Sequence, residues 1–197
     1  MNNVNSVAQE ISAGQRFAFG SNWNDFSKKI DDTRIEAAIQ GIQRLLAGQD
    51  LQGKSFLDVG SGSGLMSLAA RKLGMKVTSF DYDPLSVACT EQLKAHFCPA
   101  DTAWSVHQGS VLDTDFLHQF GRFDVVYSWG VLHHTGRMWE ALSNTIQLVG
   151  PGGSLIVALY NDQGVQSKIW KKIKAVYNKG SALISRIHHQ ECYNRPC

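Results

Sequence analysis

The chain has 197 residues, 43% hydrophobic and 18% charged, with 19 Lys and Arg against 17 Asp and Glu for a net charge of +2. That composition excludes bulk disorder and a chain too small to bury a core, and the mild charge balance argues against a dedicated nucleic-acid binder. There is no apolar run of membrane-span length and no signal-peptide pattern at the start, and four cysteines make no disulfide scaffold, so one cytoplasmic domain is expected.

Residues 1–15 read as a flexible polar arm. Phe17, Phe19, Trp23 and Phe26 then crowd a stretch without clean periodicity, so 16–50 is read as an N-terminal region of lid and helix. Helical spacing of Ile35, Ala38, Ile39, Ile42, Leu45 and Leu46 predicts a helix over 32–46, stopped by Gly48. A strand over 55–59 feeds a glycine-rich turn. A helix follows with Leu65, Leu68, Ala69 and Leu73 on one face, and Gly74 ends it. The second strand is 76–80. Asp83 as N-cap and Pro84 in the first turn open a helix to about residue 97. Further strands are expected at 103–107 and 123–128, a helix at 138–148, a sharp turn at 150–153 and a fifth strand at 154–160. Val165, Ile169, Ile173, Val176 and Tyr177 line one face of a last helix, with lysines opposite. Strands alternating with helices predict an α/β fold with a doubly wound, mainly parallel sheet.

The sharpest signal is Phe56-Leu-Asp-Val-Gly-Ser-Gly-Ser-Gly64, a strand running into a glycine turn and a helix. Glycine permits a tight turn and a close ligand approach, and the helix start offers N–H groups and a positive dipole end. A dinucleotide fingerprint needs its third glycine at 65, where Leu65 stands. Asp81 ends the second strand, where a carboxylate can accept from both hydroxyls of a ribose. Asp83 already suits the capping role beside Pro84.

The G-x-G-x-G spacing with Asp58 two residues ahead resembles motif I of the class I S-adenosylmethionine-dependent methyltransferases. The resemblance runs from about Lys54 to Asn161 and is closest to the group of ubiquinone-biosynthesis O-methyltransferases. It implies a Rossmann-like sheet in the order 3-2-1-4-5 and S-adenosyl-L-methionine as cofactor. The implied cofactor-binding residues are Asp58, Gly60, Ser61, Gly62, Gly64, Asp81, Tyr82, Ser110, Val111 and Trp129. Among these, Tyr82 suits the adenine or plain packing equally, and Ser110 stands where the family often has Asp. Arg34 is a weaker candidate for the cofactor carboxylate and suits a solvated helix face better. On this reading 51–180 is the cofactor-binding methyltransferase domain.

His134 and His133, directly after the fourth strand, are the candidate catalytic bases, either able to deprotonate a hydroxyl. The resembling group carries two glutamates and a histidine there. Gly130 and His133 replace the glutamates and only His134 matches, so no metal is assigned. An Asn/Asp-Pro-Pro-aromatic stretch for base amines is missing after the fourth strand, and Cys98-Pro99 reverses the order used at cytosine C5. A small-molecule acceptor, methylated at oxygen, is therefore expected. The alternatives are a nicotinamide-dependent oxidoreductase and a non-catalytic cofactor-binding module. Residues 181–197 form an atypical tail with no convincing pair of strands, which predicts that the strand 6/7 hairpin of the family is lacking. Strand five would then be an exposed edge open to pairing with another copy.

Overall fold

The computed structural model describes Trp23 and residues 30–160. The chain divides into units 1–159 and 160–197, and the fold below is that of the first. The polar arm, most of 16–29, the helix expected over 165–177 and the tail from 181 lie outside the described residues.

Helix α1 is Asp32–Leu45, started by Asp31, whose carboxylate accepts from the Arg34 N–H at 2.9 Å. It buries Ile35, Ala38 and Ile42 on one side, the stripe that its 3.6-residue spacing predicts. Strand β1 (Ser55–Val59) leads through the glycine turn to α2 (Leu65–Lys72). Strand β2 (Lys76–Asp81) leads to α3 (Pro84–Phe97), where the Asp83 side chain accepts from the Leu85 N–H at 2.9 Å. Strand β3 (Trp104–Gln108), the five-residue helix α4 (Thr114–His118) and strand β4 (Phe123–Trp129) follow. A 3₁₀ turn at Leu132–His134, helix α5 (Met138–Gln147) and strand β5 (Val149–Ala158) complete the unit.

The five strands lie in the order β3-β2-β1-β4-β5, all pairs parallel. Successive β1 residues point to opposite faces, and both faces are dry. Phe56 packs in one cluster with Ile42 of α1, Leu68 of α2 and Leu93 of α3; Leu57 and Val59 pack in another with Leu117 of α4 and Ala141 of α5. A sheet covered on both faces explains the near-continuous apolar runs of its inner strands.

Two details differ from expectation. Helix α4 has too few residues to show a period, and its start is marked by Asp113, which accepts from the Phe116 N–H at 3.0 Å. The turn expected over 150–153 is a bulge within β5. Phe123 pairs with Val149 but Val125 pairs with Ser154, so β5 advances further than β4 over this stretch. Gly153 makes this possible: a Cβ there would stand 2.9 Å from three carbonyl oxygens, those of Phe123, Asp124 and Gly150. No helix among the described residues is long and apolar enough to cross a membrane.

Candidate cofactor site

The site is built where β1, β2 and β4 end, on the side of the sheet edge where the order of connections reverses and ligands of such folds bind. The glycine turn is anchored first. The N–H groups of Gly60 and Ser61 both donate to the Phe80 carbonyl of β2, at 2.9 and 3.1 Å, and Gly64 N–H closes the turn on the Ser61 carbonyl at 2.8 Å. Gly64 adopts φ +80 as the N-cap of α2. A Cβ there would also stand 3.0 Å from the Cα of Thr90 in α3, so two helices meet over it. Gly60 likewise faces Val131, at 2.5 Å from a built Cβ. These two glycines therefore serve close packing within the protein. Gly62 faces the indole of Trp23.

The Ser61 hydroxyl is turned inward, pairing with the Thr90 hydroxyl at 2.9 Å, so this predicted site residue holds the turn to α3 with its side chain. Asp58 lies beneath the turn, 2% exposed. The Ser67 hydroxyl of α2 donates to its Oδ2 at 2.6 Å, and the hydroxyls of Ser67 and Ser79 pair at 2.7 Å. Trp104 Nε1–H donates to Ser79 Oγ at 2.9 Å. The result is a buried chain of polar groups from β3 through β2 and α2 to β1. Burial pushes the Asp58 carboxyl up to about 7; the Ser67 hydrogen bond works against the rise and the Asp81 charge adds to it. Burial, with the Asp58 charge, also raises the Tyr127 hydroxyl above its ordinary range.

Asp81 is 9% exposed at the end of β2. Its Oδ2 accepts from the Gly62 N–H at 3.0 Å and its Oδ1 from the Asp83 N–H at 2.9 Å. Both oxygens are thus aimed by main chain, and a carboxylate has about four acceptor positions in all. Tyr82 is half-buried beside it. After β3, Gly109 N–H donates to the Asp81 carbonyl at 3.0 Å and carries the chain past β2. There the Ser110 hydroxyl accepts from the Leu112 N–H at 3.1 Å and the Val111 carbonyl takes the Asn144 amide at 3.0 Å. These bonds fix the loop expected to face the adenine.

Beyond β4, Trp129 is 53% exposed and stacks on Tyr127 with ring centroids 6.0 Å apart. His133 and His134 sit in the 3₁₀ turn with ring centroids 4.0 Å apart, His133 half-buried and His134 exposed. Burial holds the His133 imidazole below the ordinary histidine range. Arg34 pairs with Asp31 at 2.8 Å on the exposed face of α1. Sequence reasoning overlooked Ser67, Ser79, Thr90 and Trp104. The available signal was a serine inside the apolar second strand and another on the apolar face of α2.

A parallel sheet whose first turn is hydrogen-bonded to an acid at the end of the second strand defines an α/β domain built to hold a ligand above its strand ends. Residues 30–188 match the model of a methyltransferase domain, and the chain belongs to that family. It is 31% identical over 167 residues to a ubiquinone biosynthesis O-methyltransferase of Escherichia coli, covering 83% of this chain and 66% of that one. A relative of the same description from a Caulobacter species is 30% identical over 116 residues, 56% of this chain and 42% of that protein. The chain thus spans less than half the length of some curated relatives that it matches. Among solved structures, magnesium protoporphyrin IX methyltransferase from Synechocystis with bound SAH gives a TM-score of 0.58 at 19% identity, covering 72% of this chain and 62% of that one. That likeness concerns the fold.

Proposed function

We propose that this domain binds S-adenosyl-L-methionine and transfers its methyl group to the oxygen of a small molecule. The single observation that carries the reading is the Gly62 N–H bonded to Asp81 at 3.0 Å, which joins the glycine turn to a carboxylate suited to a ribose diol. The residues present fit the cofactor: a near-buried carboxylate oriented by two N–H groups, a glycine turn bonded to it through Gly62, and an exposed indole at Trp129. When bound, S-adenosyl-L-methionine supplies a methyl carbon on a positively charged sulfur, already activated for in-line displacement. The protein must then position the acceptor and remove its proton.

In this reading Asp81 receives the ribose hydroxyls, the loop at Ser110 and Val111 borders the adenine, Tyr82 lies beside it, and Trp129 borders the methionine end. The main chain of Gly60, Ser61, Gly62 and Gly64 shapes the turn, and Asp58 supports it from below. His134 takes the proton of the acceptor hydroxyl. His133 lies against it, with ring centroids 4.0 Å apart, and burial shifts its imidazole toward the uncharged form. The likeness to O-methyltransferases of ubiquinone biosynthesis supports oxygen as the target.

Calorimetric titration with S-adenosylhomocysteine and with NAD in parallel tests the cofactor. Binding of the first and not the second is expected, and the reverse would sink the proposal. Transfer of labelled methyl to a panel of hydroxylated aromatics tests the target atom.

A further inference from the structure

The Cβ-less face of Gly62 has a specific neighbour. A Cβ built there would stand 2.8 Å from Cε2, 3.0 Å from Nε1 and 3.2 Å from Cζ2 of Trp23. The indole therefore lies directly on the main chain of the turn, and no residue but glycine at 62 admits it without displacement. Gly62 has φ +56, so a side chain there is also conformationally disfavoured. On its other side, the same residue donates its N–H to Asp81. An aromatic ring and a carboxylate thus flank one peptide of the turn. Trp23 is half-buried while Gly62 is buried.

We propose that Trp23 is a cofactor-contact residue whose indole forms an aromatic wall of the site held by the glycine turn. The inference rests on the reading that this turn holds S-adenosyl-L-methionine. The chemistry suits that ligand. Its ribose needs a carboxylate, whereas the carbons around its sulfur gain from a dry apolar surface, and an indole face also attracts a positive charge. The opposite arrangement, in which the indole occupies the ligand's own position, predicts the opposite sign for removing the ring.

The test is calorimetry of S-adenosylhomocysteine and S-adenosyl-L-methionine binding to the full chain, in wild type, Trp23→Ala and Trp23→Phe, with thermal melting of each. As a wall, Trp23→Ala weakens both ligands about five- to ten-fold, in line with the worth of an aromatic contact. Trp23→Phe recovers most of that loss, and the melting temperatures of the ligand-free proteins change less than the ligand-bound ones. An affinity for Trp23→Ala within two-fold of wild type, or tighter, overturns the proposal. If Trp23→Ala does not fold, ligand-induced fluorescence change decides. Part of that change should vanish in Trp23→Phe, the remainder coming from Trp129, and its full retention overturns the role of Trp23. Failure of the wild type itself to bind either ligand would instead sink the cofactor reading.

Discussion

The N–H of Gly62 donates to Oδ2 of Asp81 at 3.0 Å, tying the turn after β1 to the acid that ends β2. The second oxygen of the same carboxylate takes the Asp83 N–H, which also sets the start of α3. One side chain thus orients the turn, the helix start and itself. Asp81→Ala removes acceptors from two main-chain donors and is expected to destabilise the domain by about 2 kcal/mol. Asp81→Asn keeps one carbonyl oxygen and should cost less. Urea unfolding of the two variants measures the order.

Gly64→Ala combines two penalties. The residue sits at φ +80, and its Cβ would lie 3.0 Å from the main-chain Cα of Thr90, which cannot swing aside. A loss of roughly 2–3 kcal/mol is expected from the conformational and steric terms together. Gly121→Ala is the control: it also has positive φ but open space around it, so only the conformational cost applies. Equal melting temperatures for the two would contradict the packing account of Gly64.

Asp58 makes a pH-dependent contribution of definite sign. Its folded value of about 7 lies above the ordinary aspartate value of 3.8. The unfolded chain releases this proton first, so the stability from the group is fully present below about pH 4 and is lost as pH rises through 7. Asp58→Asn keeps an acceptor for the Ser67 hydroxyl and has no charge to bury. The stability difference between wild type and Asp58→Asn should therefore shift toward the variant between pH 4 and 8, as read from urea midpoints. Parallel curves would show that Asp58 ionises normally in the fold.

His134→Ala should reduce methyl transfer about 100-fold, the lower end for a general base, while leaving S-adenosylhomocysteine affinity within two-fold. His133→Ala should reduce it less, since on the proposed function His134 and not His133 takes the proton. Loss of ligand affinity in His134→Ala, or unchanged turnover, would remove the histidine from the role.

Strong local signals made much of this legible in the sequence. The bounds of β1 and α3 follow from the run into Gly60 and from the Asp83–Pro84 start; the alternation of elements predicted a parallel sheet, and the resemblance to the methyltransferases its strand order. The glycine turn and Asp81 were readable because a spacing of residue types carries their chemistry. Ser67, Ser79 and Trp104 were not readable: their meaning is a hydrogen-bonded chain across α2, β2 and β3, and no local pattern encodes contacts 12 and 25 residues apart. The bulge in β5 was hidden for a related reason, because glycines and a proline signal a turn whether or not the strand resumes its pairing. Nor could spacing reveal that Gly60 and Gly64 face protein atoms.

On the proposed function, the turn and Asp81 together hold S-adenosyl-L-methionine. Titration of S-adenosylhomocysteine into wild type and into Asp81→Asn, with both shown to be folded, tests it most directly. Saturable one-site binding to wild type is expected, with an affinity lower by about ten-fold or more in the variant, the worth of a charge-assisted contact to a diol. No binding to wild type, or equal binding to both proteins, would contradict it.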